Sequence, residues 1–169
     1  MTKADQLILD DRQVSQKITR IAYEIYESNF ASKKLFIVGI HPQGYHFAQL
    51  LVEELKTIAH FGLELVKIEI DKENLLGSEV KFDCDTATFK NRTVILVDDV
   101  LNTGRVLAYS LKSLLAIGLK KLEVAVLVNR KHSLFPITAT YTGYELATTI
   151  NEHVAVVLSK KEKGVYLLD

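Results

Sequence analysis

The chain is predicted to fold as an α/β protein: a mostly parallel central sheet flanked by helices, with a small irregular hood. Three observations carry this expectation. Apolar runs of strand length at 35–40, 93–98 and 122–128 lack alternation, which marks strands covered on both faces. Segments with helical spacing of apolar residues, 45–58 and 105–117, separate them. At 169 residues, nearly half of them hydrophobic, the chain is expected to be a single domain, 1–169, with a sizeable core. Alternating strands and helices imply right-handed crossovers, and ligands of such sheets sit beyond the carboxyl ends of the strands.

The elements follow in order. Asp10 or Asp11 can cap a first helix in which Val14, Ile18, Ile21, Ala22 and Ile25 recur at helical spacing. After the strand at 35–40, His41-Pro42-Gln43-Gly44 reads as a loop by its proline and glycine. The helix at 45–58 turns Phe47, Leu50, Leu51, Val52 and Leu55 inward, and 63–70 alternates well enough to be a strand. Residues 71–91 are the least regular: Asn74, Gly77 and the acids Glu79, Asp83 and Asp85 surround a short strand at 80–82, suggesting a flexible hairpin or lid. The helix at 105–117 is closed by Gly118, suited to a left-handed cap. A loop at 129–136 and a short strand at 139–142 come next, then strands at 153–159 and 165–168 joined by a charged turn.

Twenty-one basic and twenty-one acidic residues cancel, so no overall field draws the protein to polyanions or anionic lipid. No apolar run reaches the roughly 20 residues that span a bilayer, and the amino terminus lacks a basic-then-apolar leader. No membrane partner is expected and the expected address is cytoplasmic. Cys84, the single cysteine, cannot form an internal disulfide. His41, His46, His60, His132 and His153 show no metal-ligand spacing and read as surface or packing residues. Neither a Gly-x-x-x-x-Gly-Lys-Ser/Thr phosphate loop nor a Gly-x-Gly-x-x-Gly dinucleotide fingerprint occurs.

The most informative stretch is Val94-Ile95-Leu96-Val97-Asp98-Asp99-Val100-Leu101-Asn102-Thr103-Gly104-Arg105. An apolar strand ends in two adjacent carboxylates, and a short Thr-Gly loop then opens an amphipathic helix. Carboxylates at a strand end can accept from sugar hydroxyls. Free N–H groups at a helix start suit a phosphate monoester. The segment therefore offers both halves of a ribose 5-phosphate site.

This arrangement resembles the signature of the type I phosphoribosyltransferases, which bind phosphoribosyl pyrophosphate (PRPP) there. Nearly the whole chain looks like the pyrimidine operon regulators that also act as uracil phosphoribosyltransferases. The matching pieces are Thr19-Arg20-Ile21-Ala22, Val38-Gly39-Ile40, the signature itself, Ala125-Val126-Leu127-Val128 with Arg130 and His132, and Pro136-Ile137 before Tyr141. The resemblance implies PRPP binding by Asp98, Asp99, Val100, Leu101, Asn102, Thr103, Gly104, Arg105 and Val106. Asp98 and Asp99 would be the catalytic pair, facing the ribose hydroxyls and, through water, a Mg²⁺ held mainly by PRPP. His41, Pro42, Gln43 and Gly44 would form the pyrophosphate loop, with a cis His41–Pro42 bond expected there. Val128, Asn129 and Arg130 would line the base pocket.

The chain departs from the family in several places. Val106 stands where a second threonine is common, removing one hydroxyl contact to the phosphate, at about 1–2 kcal/mol. The pyrophosphate loop has His41 and Gln43 in place of two arginines, so the bidentate phosphate contacts are lost. Some purine-using relatives carry a carboxylate at the position of Asn102, so no general base is assigned here. Asn129 replaces an aspartate, and the stretch near 71–75 lacks a Tyr-Arg pair, for which Lys72 is a partial substitute. Those regulators also bind messenger RNA through a basic dimer surface. Thr19 and Arg20 fit it, but Tyr23 replaces a histidine, and Ser133, Thr138 and Tyr144 replace basic residues. Each lost phosphate contact removes roughly 0.7–0.9 from the salt slope of binding. RNA is therefore not an expected partner; a homodimer or higher homo-oligomer is.

The expected function is transfer of phosphoribose from PRPP to a nucleobase, with uracil favoured and Mg²⁺ as cofactor. The alternative is a regulator that binds PRPP or a nucleoside monophosphate but turns over weakly or not at all.

Overall fold

The computed structural model describes residues 5–168. Residues 1–4, most of the amino-terminal stretch inspected for a leader, lie outside them, as does residue 169. The elements are β1 (Gln6–Leu9), α1 (Asp11–Ser28), β2 (Lys34–Ile40), α2 (Gln43–Ile58), β3 (Gly62–Glu69), β4 (Lys81–Phe82), a 3-10 turn (Thr86–Phe89), β5 (Thr93–Leu101), α3 (Arg105–Leu115), β6 (Lys121–Asn129), β7 (Tyr141–Glu145), β8 (His153–Leu158) and β9 (Lys163–Leu168). Among the described residues, six strands form one sheet in the order β4-β3-β2-β5-β6-β7, and three form a second in the order β1-β9-β8. Every pairing in the large sheet is parallel except the short edge strand β4 on β3. The small sheet is antiparallel throughout.

The unbroken apolar runs are explained by cover on both faces. Along β5, Ile95 and Val97 join a core with Ile18, Ile21, Phe47, Leu51 and Leu55 of α1 and α2. Val94 and Leu96 point the other way, into a core with Leu107 and Leu114 of α3 and with Phe36 and Phe89. With no polar face to present to water, such strands have no reason to alternate. Helix α1 begins with a reciprocal cap: the Asp10 carboxylate accepts from the Gln13 backbone N–H at 2.8 Å, and the Gln13 side chain accepts from the Asp10 N–H at 2.9 Å. Val14, Ile18, Ile21, Ala22 and Ile25 form its buried stripe, as their spacing predicts. At the opposite end of the sheet from the acids, the Tyr141 hydroxyl donates to the buried Glu123 carboxylate. Lys121, also on β6, neutralises that carboxylate at 2.8 Å, and the bond from Tyr141 ties β6 to β7.

Several boundaries differ from those predicted, each for a physical reason. Strand β5 runs three residues past Asp98, because Val100 and Leu101 keep pairing with Val128 and Asn129 of β6. Helix α2 starts at Gln43, so the second half of the expected 41–44 loop is its first turn. Helix α3 ends at Leu115, and Gly118 sits in the left-handed region at φ +77° two residues beyond the cap, its carbonyl accepting from Asn91 N–H. The short strand expected at 139–142 lies instead at Tyr141–Glu145. Strand β1, not foreseen, is four residues long and pairs with β9 from the far end of the chain.

The irregular stretch is better ordered than its sequence suggests. Asp71, Asp83 and Asp85 accept from nearby or neighbouring backbone N–H groups, and Phe89 is fully buried against Phe36, with ring centroids 4.9 Å apart and edge-on. Burial, then the charges of Asp83, Glu64 and Asp85, pushes the Cys84 thiol up, which keeps it a poor nucleophile. Phe89→Ala should therefore cost about 3–5 kcal/mol. Urea denaturation would check this, and a loss under 1 kcal/mol would mean that the segment does not use this ring as its anchor.

Candidate active site

The site is built where β5 ends. Asp98 is 4% exposed, and its Oδ1 accepts from the Asp99 backbone N–H at 3.0 Å. Above it lies the first turn of α2. A β-carbon on Gly44 would stand 2.8 Å from Asp98 Oδ1 and 2.8 Å from the Val97 carbonyl oxygen, so only glycine allows the helix to sit this close. Burial is the main force that raises the Asp98 carboxyl well above the usual carboxylate range. Repulsion from Asp99 adds to it, and Lys72 opposes it. A carboxyl in this state gains from any cation or hydroxyl donor that approaches it.

Three residues on, the chain turns. Gly104, the N-cap residue of α3, adopts φ +83°, ψ 0° and has no side chain with which to cap the helix. An L-side chain at 104 would be strained by that φ, and its β-carbon would meet Ile137 and the Phe135 carbonyl at 3.3 Å. The Thr103 carbonyl accepts from Leu134 and Phe135 N–H groups, and Thr103 Oγ1 accepts from Arg105 N–H at 3.3 Å. Val106 and Leu107, whose N–H groups a helix start leaves without internal partners, border a cavity of about 270 Å³. The left-handed residue followed by helical ones aims these donors at one point, a geometry suited to an anion.

Asp98, Asp99, Val100, Leu101, Asn102, Thr103, Gly104, Arg105, Val106 and Arg130 all border this cavity, as does Lys72. The other expected residues do not. Val128 is fully buried in the α1–α2 core, and Asn129 closes a turn by accepting from Lys131 N–H at 2.9 Å. Neither Val128 nor Asn129 is among the residues that border the cavity. His41, Pro42, Gln43 and Gly44 also lie outside its lining. The His41–Pro42 bond is cis, and His41 N–H donates to the Ile68 carbonyl at 2.9 Å.

Three lining residues were not anticipated: Leu107, His153 and Val154. Leu107 follows directly from the helix start. His153 and Val154 open β8, which belongs to the small antiparallel sheet, so the strand-end rule for parallel sheets gives no hint of them. Their signal would have been three-dimensional: β8 packs against α2 and approaches β5.

The fold and this cavity define a class: a parallel α/β protein whose strand-end acid pair borders an uncapped helix start. Comparison with known proteins gives it a family. The description "Phosphoribosyl transferase domain" matches residues 6–162. The "Bifunctional protein PyrR" of Haemophilus ducreyi is 33% identical over 159 residues, covering 90% of this chain and 89% of that protein. That of Ligilactobacillus salivarius is 35% identical over 162 residues, covering 90% and 91%. Among solved structures, the hypoxanthine phosphoribosyltransferase of Trypanosoma cruzi superposes with a TM-score of 0.77 at 16% identity, covering 96% of each chain. A hypoxanthine-guanine phosphoribosyltransferase of Bacillus anthracis gives 0.75 at 16%, covering 100% and 99%. The chain belongs to the phosphoribosyltransferase family, in its PyrR-like type I branch.

The Asp98 carboxyl makes a prediction about pH. An unfolded aspartate titrates near 3.9. Because folding raises this value, the folded state binds the proton more tightly, and stability falls as pH rises from about 4 through the folded-state value. Asp98→Asn, which keeps an acceptor for Asp99 N–H, should raise the melting temperature at pH 8. The gain should shrink towards nothing near pH 4. Calorimetric scans across that range would show it, and a variant less stable than wild type at pH 8 would reverse the sign argued here.

Proposed function

We propose that the protein transfers the phosphoribosyl group of PRPP to a nucleobase, releasing pyrophosphate, with uracil the favoured acceptor. One observation carries this reading: Asp98 and Asp99 border the same cavity as the uncapped start of α3. Acceptors for two ribose hydroxyls and donors for a 5-phosphate thus lie at one site. The family membership supports it. The purine enzymes among the solved structures share the fold at 16% identity, whereas the PyrR proteins are 33–35% identical along almost the whole chain.

In this reading the 5-phosphate sits on the Val106 and Leu107 N–H groups, with the Thr103 hydroxyl beside them, and Asp99 accepts from the ribose hydroxyls. The bond from C1 to the pyrophosphate oxygen breaks as a base nitrogen bonds to C1, and the nitrogen's proton passes to water. Positive charge builds on the ribose, so the carboxylates stabilise the transition state while the cradle holds the reacting centres in line. The donor set fits Mg²⁺ as an ion carried mainly by the diphosphate and its waters. Asp98 and Asp99 offer hard oxygen ligands, and among the described residues no group of three acidic, histidine or cysteine side chains could cage a metal alone. When bound, the ion would neutralise the departing pyrophosphate. Lys72 is the cation of this chain at the cavity nearest to that role.

A second reading, a PRPP or nucleotide sensor with weak turnover, is favoured by the 41–44 segment. His41 is exposed, the Gln43 side-chain oxygen is buried without a partner among the described residues, and neither residue borders the cavity. RNA binding has less support. Arg20, which fits the relatives' RNA surface, spends its guanidinium on Glu24 and on the Thr142 and Gly143 carbonyls at 2.6–3.0 Å.

Pyrophosphate release from PRPP and Mg²⁺ should depend on added uracil and exceed that with hypoxanthine, guanine, xanthine, adenine or orotate. Asp99→Asn should lower it about 10- to 100-fold, as expected for losing hydrogen bonds to a charged acceptor. Calorimetric PRPP binding without release for any base would replace the enzyme with the sensor. Val106→Thr, which restores a hydroxyl at the helix start, should tighten ribose 5-phosphate about fivefold or more. Unchanged calorimetric affinity would move the phosphate away from this helix.

A further inference from the structure

Arg130 is the most thoroughly engaged side chain near the cavity. It is 4% exposed, and its guanidinium makes five hydrogen bonds to two segments of the chain, Asn102 and 148–152. Nε and Nη2 donate to Thr148 Oγ1 at 2.9 and 2.7 Å. Nη2 also donates to the Thr149 and Glu152 carbonyls at 3.1 and 2.7 Å. Nη1 donates to Asn102 Oδ1 at 2.9 Å. Its backbone N–H donates to the Leu101 carbonyl at 3.0 Å, just before Asn102.

Two consequences follow. The turn at 148–152, which leads into His153 and Val154, is tied to the loop that opens the phosphate cradle, so two walls of the cavity hold one spacing. The second concerns Asn102. A guanidinium has donors only, so the amide end facing it must be the oxygen, and the NH₂ group is left pointing elsewhere. Asn102 is exposed and borders the cavity, between the acid pair and the cradle. Once the acids take the ribose hydroxyls and the cradle takes the phosphate, the rest of the lining is Lys72, Val100, Leu101 and a face made by Asn102, Arg130, His153 and Val154. Lys72 stands with the acids, whose charge it opposes, which leaves that face for the base.

We propose that Arg130 is a positioning residue that makes Asn102 a hydrogen-bond donor to the bound base, so that the site selects a base presenting a carbonyl oxygen to this wall. The proposal rests on the phosphoribosyl reading given above and adds the residue that reads the base. With Nε and Nη2 engaged by the 148–152 turn and Nη1 by Asn102, Arg130 acts through these partners.

The test compares calorimetric affinity for uridine 5-monophosphate with that for ribose 5-phosphate, which lacks the base. Asn102→Asp keeps an acceptor for Arg130 but replaces the NH₂ donor with a second acceptor. It should weaken the nucleotide at least tenfold more than it weakens ribose 5-phosphate. Arg130→Lys should weaken the nucleotide selectively too, since lysine cannot hold Asn102 and the turn at once. Asn102→Asp in that background should then add less than twofold. Asn102 is exposed, so its variant retains the fold and keeps the test decisive even where Arg130→Lys melts early. Equal weakening of both ligands by Asn102→Asp, an unchanged nucleotide affinity, or additive losses in the double variant would overturn the proposal while leaving the phosphoribosyl reading in place. A wild-type protein that binds neither ligand would remove that reading first, and this one with it.

Discussion

The burial of β2, β5 and β6 on both faces is the constraint on which the rest of the molecule depends. Helices α1 and α2 cover one side of these strands and α3 the other, so their interior residues can be nothing but apolar. Polar chemistry is thereby confined to the strand ends. There β5 goes from Val97 directly to Asp98 and Asp99 without leaving the sheet, because its ladder with β6 runs on to Leu101. The acids are held by main-chain hydrogen bonds of a rigid sheet, a more exact placement than a free loop would give.

That placement has an electrostatic cost which the fold does not relieve by itself. Asp98 lies under the first turn of α2 beside a second carboxylate, with Lys72 the opposing charge in its surroundings. A buried acid with little compensation is poor for stability, but it is an acceptor awaiting a partner. The neighbouring helix start has the opposite character, with donors lacking acceptors. The two deficits are complementary to the two ends of one ligand, a sugar whose hydroxyls donate and whose phosphate accepts. The guanidinium of Arg130 shows the contrasting solution: a buried charge held by five hydrogen bonds within the protein.

Much of this was legible in the sequence because it depends on local pattern. The apolar runs marked the buried strands, the helical spacing of Val14 to Ile25 marked the stripe of α1, and the run from Val94 to Arg105 contained the acid pair and the cradle whole. What was not legible depends on contacts between distant segments. Val128, which the resemblance implies for the base pocket, is fully buried in the core with α1 and α2, a placement its position on the chain does not reveal. His153 and Val154 were missed because their strand belongs to the other sheet. The stretch 71–91, expected to be a flexible hairpin or lid, is held by Asp71, Asp83 and Asp85 as acceptors of backbone N–H groups, a role that depends on φ and ψ rather than on composition.

The small sheet pairs Gln6 with Leu167, joining segments near opposite ends of the described chain, and β8 stands at its edge. Closing a loop of that length is entropically demanding and is compensated only once both segments are present. During synthesis the stretch that bears the acids and the helix start, complete by Leu107, still lacks the β6 ladder and the 134–135 segment that hold it. The wall carrying His153 and Val154 comes later again, with the strands of the small sheet. A growing chain therefore has no finished cavity until its last strands are made.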